Sequence, residues 1–500
     1  MKHFLDRLQT RKIRLLKIAK DNKELNNISD LAKELSCSTQ TLTTTVESLI
    51  EDLEELSIQT LSIKIENKLF VAKFSNEFSL DRLIHLYLKK SFEYQVILDC
   101  FFNTTKSTSQ YAKDYYLSQA STYRKINSVK TILAQFNLEL QQASKIQIIG
   151  EEKMIRYFFY SFFWETRTSV NWPFPYSKEF IKKLRQLLYP ENYLENNTLI
   201  NENKLDLWFA ITLMRVKENE LIGALPEIER MLQKNPSYLK NKKEITKLCL
   251  EINSELTIQQ IDEEVYFYYV VMMYNIYYVE YDDKMLPLLE AINENNEVFK
   301  MASVQFIESL NHFLSKPLKK DQYNILLANL ISIHMYAFLF EGLLSPFEEP
   351  LKTKRFDRIY PSFYKLVKNT YQNCIEFDSF SKYYYNKEFL FPSYMLTLFV
   401  SIDVKNYTIP ISVYLYSSHS KILETILKKE LSKMTQYHLF FTDEETKETD
   451  LIVSDTFNIP YKLSENRMLI WDPIPSDTDW KNLSDKLSEI KKEKEFLFLD

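Results

Sequence analysis

Glycine is nearly absent from this chain: among 500 residues only Gly150, Gly223 and Gly342 occur. Loops that cradle nucleotide phosphates depend on glycine, because the backbone must turn sharply and approach the phosphate closely. With three glycines so far apart, neither a Gly-x-Gly-x-x-Gly fingerprint nor a Walker A loop can exist. A Gly-x-Ser-x-Gly nucleophile elbow is excluded on the same ground.

The remaining composition is that of a globular protein, 45% hydrophobic and 26% charged. At roughly 100–200 residues per domain the length allows three to five domains. Cys37, Cys100, Cys249 and Cys374 form no Cys-x-x-Cys pair and suggest no disulfide framework. The first twenty residues are charged and periodic rather than those of a signal peptide, so a reduced, cytoplasmic protein is expected. Six histidines without ligand spacing imply no metal, and no cofactor is expected. Net charge is −5, which excludes a globally basic nucleic-acid coat but not a local basic patch. Val265–Val279, VYFYYVVMMYNIYYV, is too short for a membrane span and reads as a buried helix.

Residues 10–56 carry three helical patterns. Ile13, Leu15, Leu16 and Ile18 suggest the first; Ile28–Leu35 is the second, with Ser29 or Asp30 as candidate caps. The third runs from about Thr39 to Leu53, with Leu42, Val46, Leu49 and Leu53 at spacings of four and three. Two β-like runs follow, Leu56–Ile65 and Lys68–Phe74. Three helices and a hairpin are the order of a winged helix-turn-helix. A shift of 80 residues repeats the pattern: Ser38 maps to Ser118, Thr41 to Ser121, and Val46, Leu49 and Leu53 to Ile126, Val129 and Leu133. The match fails at Leu42, which maps to Thr122, and resumes with β-like runs at 136–142 and 145–150.

In such a unit the second helix of the motif presents its N-terminal side chains to base edges, while phosphate contacts fix the register. The candidate DNA-binding residues are Ser38, Thr39, Gln40, Thr43 and Thr44 in the first unit. In the second they are Lys106, Ser118, Gln119, Ser121, Thr122, Arg124 and Lys125. Residues 103–135 hold five basic side chains against Asp114, a balance of +4, whereas the first unit turns acidic over Glu47–Glu55. Phosphate attraction is therefore expected to be stronger at the second unit. Trihelical units also serve as protein-contact modules, and that alternative stays open.

The run SKIQIIGEEKMIRYFFYSFFWE (144–165), the following NWPFP (171–175) and SQYAKDYYLSQASTYRKIN (109–127) resemble the Mga/AtxA-like virulence regulators of Gram-positive bacteria. The resemblance implies a mainly α, multidomain chain. It comprises winged helix-turn-helix domains over 1–75 and 80–170, helical phosphotransferase-regulation-like bundles over 176–281 and 282–395, and a small α/β domain like a sugar-phosphotransferase IIB component over 405–500. It further implies a promoter-binding transcription regulator, an activator, that forms a homodimer or higher homo-oligomer. Phosphocarrier proteins of the sugar phosphotransferase system are implied as possible partners, with no membrane attachment and no enzymatic activity.

The middle of the chain is compatible, being rich in Tyr, Phe and Leu at helical spacing, which reads as core. Candidate loops fall at 190–203, 235–243 and 345–353, with a boundary near 280–283. Phosphotransferase-regulation domains carry a phosphorylatable histidine in a motif resembling His-x-x-x-Ala-x-x-Arg. In WFAITLMRVKEN (208–219) Arg215 matches, but Trp208 stands where the histidine would be. In the second bundle His334 is the candidate, with His312 a weaker second.

The last hundred residues change period. ISVYLYS, YHLFFTD, DLIVSDT and RMLIWD read as strands, with a helix over 420–434 and a charged helix after Trp480, which suggests a parallel α/β domain. Active IIB components carry a nucleophilic cysteine after the first strand; here Ser417-Ser418-His419 stands in its place, favouring assembly over phosphoryl relay. Two other functional classes remain: a phosphoryl-accepting protein using His334 or Ser417, and an assembly scaffold without direct DNA contact.

Overall fold

The computed structural model describes residues 4–21, 27–143, 145–166, 172–188, 199–232, 236–275, 297–314, 317–340, 356–357, 360–376, 380–404, 410–434, 437–444, 446, 449–457 and 467–499. It divides into two units, Met1–Ile276 with Phe338–Glu349, and Tyr277–Ala337 with Pro350–Asp500. The fold is mainly helical, with a small parallel sheet near the C-terminus.

The first unit opens with α1 (Arg7–Asp21), α2 (Ile28–Glu34) and α3 (Thr39–Glu55), followed by the antiparallel hairpin β1 (Leu61–Glu66) and β2 (Leu69–Phe74). Leu15, Leu31, Leu42, Val46 and Leu49 meet in the core, as their helical spacing requires. The cap of α2 is Asn27, not Ser29 or Asp30; its side chain accepts from the Ser29 amide. Asn27 is favoured because it also bridges to Leu69, and the next amide, Ile28, bonds the Lys68 carbonyl, tying the helix start to the wing.

Next come α4 (Asp81–Lys90), α5 (Phe92–Phe101), α6 (Thr108–Asp114), α7 (Gln119–Ala134), and the hairpin β3 (Glu139–Gln142) and β4 (Ile146–Ile149). The repeat of 80 residues is reproduced in the turn and cap of the motif. Ser38 and Ser118 are N-caps, accepting from the amides of Thr41 and Ser121. The Cys37 amide donates to Ala32 at 2.9 Å, and the Leu117 amide to Ala112 at 2.8 Å. Ser36 and Tyr116 share a left-handed backbone (φ 54° and 52°), as do Ser57 and Asn137 (49° and 56°). Scarce glycine thus leaves left-handed turns to side chains that tolerate them unequally; asparagine and serine bond locally there, whereas tyrosine is an outlier. Among the glycines, Gly150 is held at φ 153°, and a Cβ on it would collide with Leu138 Cδ2.

From Gly150 the chain enters α8 (Glu152–Glu165), whose aromatic residues are buried on several sides. Phe162 meets Phe4 and Tyr94, Phe158 meets Phe136, and Tyr160 stacks on Trp208 at 4.5 Å. The helices α9 (Lys178–Leu188), α10 (Leu199–Lys217), α11 (Pro226–Leu232), α12 (Pro236–Ile252) and α13 (Ile258–Tyr274) follow. The expected buried helix is α13, where Val265–Met273 lie inside; residues 276–279 of that run lie outside the described residues. The expected loop at 235–243 is instead the start of α12: Pro236 takes the first helical position, where its missing N–H costs nothing. The expected loop at 190–203 overlaps α10 from Leu199 onward; its earlier part, the boundary at 280–283 and the loop at 345–353 lie outside the described residues.

The second unit contains α14 (Glu297–Phe313), α15 (Lys320–Leu339), α16 (Pro361–Glu376) and α17 (Lys387–Ser401). Strands β5 (Pro410–Tyr416), β6 (His438–Thr442), β7 (Leu451–Ser454) and β8 (Met468–Ile470) form a parallel sheet in the order β6-β5-β7-β8. The helices α18 (Lys421–Ser432) and α19 (Asp477–Leu499) complete it, with Val413, Leu415, Leu431, Val453 and Leu487 in its core. All four cysteines are free thiols. Among the described residues no helix is long and apolar enough to cross a membrane.

Candidate nucleic-acid interface

In the second helix-turn-helix, Ile126, Val129 and Leu133 bury one face of α7, so the opposite face is outward by helical geometry. Gln119, Ala120, Tyr123, Arg124, Asn127 and Lys130 form that exposed stripe, with Ser118 and Ser121 at its start. The helix carries Arg124, Lys125 and Lys130 and no acidic residue. In the first unit, α3 carries Glu47, Glu51, Asp52, Glu54 and Glu55 and no basic residue.

The candidate residues are not equivalent in place. Ser38, Thr39, Gln40 and Thr44 are exposed at the start of α3, with Thr43 half-buried. The hydroxyls of Thr43 and Thr44 donate to the carbonyls of Thr39 and Gln40. Arg124 reaches back to the Ser121 hydroxyl at 3.1 Å and stays exposed. Lys106, also exposed, pairs with Asp114 at 2.7 Å. That hydrogen bond and the carboxylate's charge hold the lysine pKa above its ordinary value.

One candidate requires correction, and a second has a partner inside the domain. Thr122 is 0% exposed, occupies the core position of Leu42, and bonds its hydroxyl to the Ser118 carbonyl at 3.0 Å. A methyl and an internally satisfied hydroxyl let threonine stand where leucine stood, so Thr122 belongs to the core and not to the interface. Lys125 turns toward Glu93, with its ammonium 3.1–3.2 Å from both carboxylate oxygens and over the Phe92 ring. It neutralises a nearly buried carboxylate. The outward positions Tyr123 and Asn127 were missed by the sequence reading; counting turns of 3.6 residues from the Ser118 cap would have found them.

Residues 76–163, from just ahead of α4 to near the end of α8, match the family model described as the Mga helix-turn-helix domain. A Streptococcus pneumoniae serotype 4 protein named "Putative trans-acting regulator" is 27% identical over 394 residues, covering 75% of this chain and 74% of its own. The "Capsule synthesis positive regulator AcpA" of Bacillus anthracis is 24% identical over 320 residues, 63% of each chain. Residues 76–163 thus carry a Mga-type helix-turn-helix domain, in a chain similar to proteins named as regulators.

The Mga-type domain fastens α6 to α5 by polar contacts as well as packing. Tyr111, one helix earlier, is buried with its hydroxyl on Asp99 at 2.6 Å, and Asp99 also accepts from Gln95 and Thr104.

The phosphorylation candidate His334 is 0% exposed. Ser303 Oγ lies 2.8 Å from Nδ1 and Tyr394 Oη 2.6 Å from Nε2, so both ring nitrogens are occupied. Burial lowers its pKa to about 3. The surface imidazole expected there is therefore a neutral core residue; His312 is exposed. Trp208, in the histidine position of the first motif, is likewise buried, stacked on Tyr160 and Phe340.

At the C-terminal ends of β5 and β7, where strand order reverses, Ser417-Ser418-His419 faces Asp455. Burial pushes the Asp455 pKa up, but bonds from the Ser418 amide (2.8 and 3.0 Å), Ser417, Ser418 and His419 outweigh it and lower the pKa. Ser418 Oγ and Asp455 Oδ2 both approach His419 Nδ1, at 3.1 and 3.3 Å. A proton relay needs its two partners on opposite ring nitrogens, so this trio is not arranged as a catalytic triad.

Proposed function

We propose that this protein is a DNA-binding transcriptional activator that contacts promoter DNA chiefly through the Mga-type unit. The observation carrying this reading is the charge contrast between two helices of matching geometry: α7 has three basic and no acidic residues, α3 five acidic and no basic. Duplex DNA is a dense line of negative charge, so the outward face of α7 attracts it and the second half of α3 repels it. The major groove then admits α7 with Gln119, Arg124 and Asn127 able to bond base edges. The first unit contributes through the N-terminal hydroxyls and Gln40 of α3. The positive regulator among the relatives supports activation.

In this reading the helices over 176–281 and 282–395 act as regulation domains and 405–500 as an assembly domain, in a cytoplasmic homodimer or higher homo-oligomer. The burial of His334 and Trp208 speaks against phosphoryl control through those positions. The test is fluorescence anisotropy with promoter DNA across a salt series. Replacing Arg124 and Lys130 together by alanine should weaken binding and reduce the slope of log affinity against log salt by about two. Absence of salt-dependent duplex binding by the unaltered protein would refute the proposal.

A further inference from the structure

We propose that Tyr116 and Tyr123 are DNA-contact residues: Tyr123 reads thymine methyl groups in the major groove, and Tyr116 anchors on the adjoining sugar-phosphate backbone. The inference rests on the DNA-binding reading above and adds to it the residues and the base chemistry.

The internal repeat supplies a control for what the fold itself requires. At the positions matching Tyr116 and Tyr123, the first unit has Ser36 and Thr43, with the same turn and the same cap. The architecture therefore does not need an aromatic ring at either place. Two other tyrosines of the segment show what structural use looks like: Tyr111 is buried with its hydroxyl on Asp99, and Tyr115 packs on Phe92 with ring centroids 5.3 Å apart. Tyr116 is 97% exposed and Tyr123 57% exposed.

Tyr116 also holds φ 52°, a conformation that bulky side chains avoid. With almost no burial, little packing offsets that strain, and strained exposed residues cluster where a partner is recognised. Tyr116 stands two residues ahead of the Ser118 cap, beside the entry of α7, where a ring and hydroxyl can meet sugar and phosphate. Tyr123 lies on the outward stripe between Gln119 and Asn127, one turn from each, with Arg124 adjacent. Among the four bases thymine alone offers a methyl group in the major groove, and an apolar ring face is the matching surface.

The experiment uses the full chain, a labelled A·T-rich duplex, and the same duplex with deoxyuridine in place of thymidine. Removing the methyl groups should weaken the unaltered protein about fivefold, a loss of the size of one poor base contact. Tyr123→Ala should bind the thymidine duplex about fivefold more weakly and no longer distinguish the two duplexes. Tyr123→Phe should keep the distinction. Tyr116→Asn puts a residue tolerant of the left-handed turn in place, so melting temperature should stay or rise while DNA affinity falls. A tyrosine needed only for folding would lower both. Unchanged affinity in Tyr116→Asn and Tyr123→Ala, alongside the weakened and less salt-sensitive binding of Arg124→Ala, would overturn the inference and leave the DNA-binding reading standing. If the unaltered chain binds neither duplex, both fall.

Discussion

Arg156 on α8 and Glu264 on α13 make a two-point ion pair in complete burial, with N–O distances of 2.6 and 2.8 Å. Glu152 joins them by accepting from both Arg156 and Arg215, and Glu264 also accepts from the Ile222 amide. Burial alone would disfavour the arginine's charge, but the two carboxylates outweigh it and raise its pKa. Charges of this kind are held because every member is paired, and removing one strands the others.

Arg156→Ala should therefore destabilise the first unit by about 3–5 kcal/mol, since Glu264 would remain buried without its partner. Denaturant titration measures this. A loss below about 1 kcal/mol would mean that water or another cation replaces the guanidinium.

Gly150→Ala is expected to cost about 1–3 kcal/mol, through a strained backbone and a clash with Leu138. Combining it with Leu138→Ala should remove the clash but not the strain, so recovery in a thermal melt should be partial. Gly223, with no atom within 4 Å of its added Cβ, should accept alanine with little effect.

His334 sets a pH dependence whose sign follows from its lowered pKa of about 3. Unfolded, a histidine titrates near its ordinary pKa of about 6.5, so below that pH the unfolded chain takes up a proton that the folded one refuses. This contribution is fully present above about pH 6.5 and is lost as pH falls toward 3, by at most about 1.4 kcal/mol per pH unit. Stability curves of His334→Gln should be flatter over that window than those of the unaltered protein. Identical curves would show that the imidazole does not control it.

Lys125→Ala should lower stability more than DNA affinity, because it leaves Glu93 without its ammonium. Lys130→Ala should do the reverse. Anisotropy and melting curves on the same two variants decide it.

The helix-turn-helix pair was legible because its signals are local. Caps at Ser38 and Ser118 and apolar spacings on α3 and α7 lie within a few turns of one another, and the 80-residue repeat reinforced each reading. The strands and helices of the parallel domain were legible for the same reason. What escaped depends on distant partners. Nothing near His334 in sequence announces Tyr394, 60 residues away, whose hydroxyl occupies the imidazole. Lys125 reads as a phosphate contact until Glu93, 32 residues earlier, comes beside it. Thr122 broke the apolar pattern because a buried hydroxyl can bond its own helix. Tyr123 passed unnoticed because many aromatic residues elsewhere among the described residues are interior.

The helix α8 has one end of its story in each of two modules. Its phenylalanines are set among rings of the Mga-type domain, including Tyr94 and Phe136, while Arg156 and Tyr160 are fastened to Glu264 and Trp208 of the helices that follow. The one helix is thus a member of both cores. Any shift of α13 that drags Glu264 would pull on Arg156 and so on the helix whose phenylalanines pack inside the Mga-type domain.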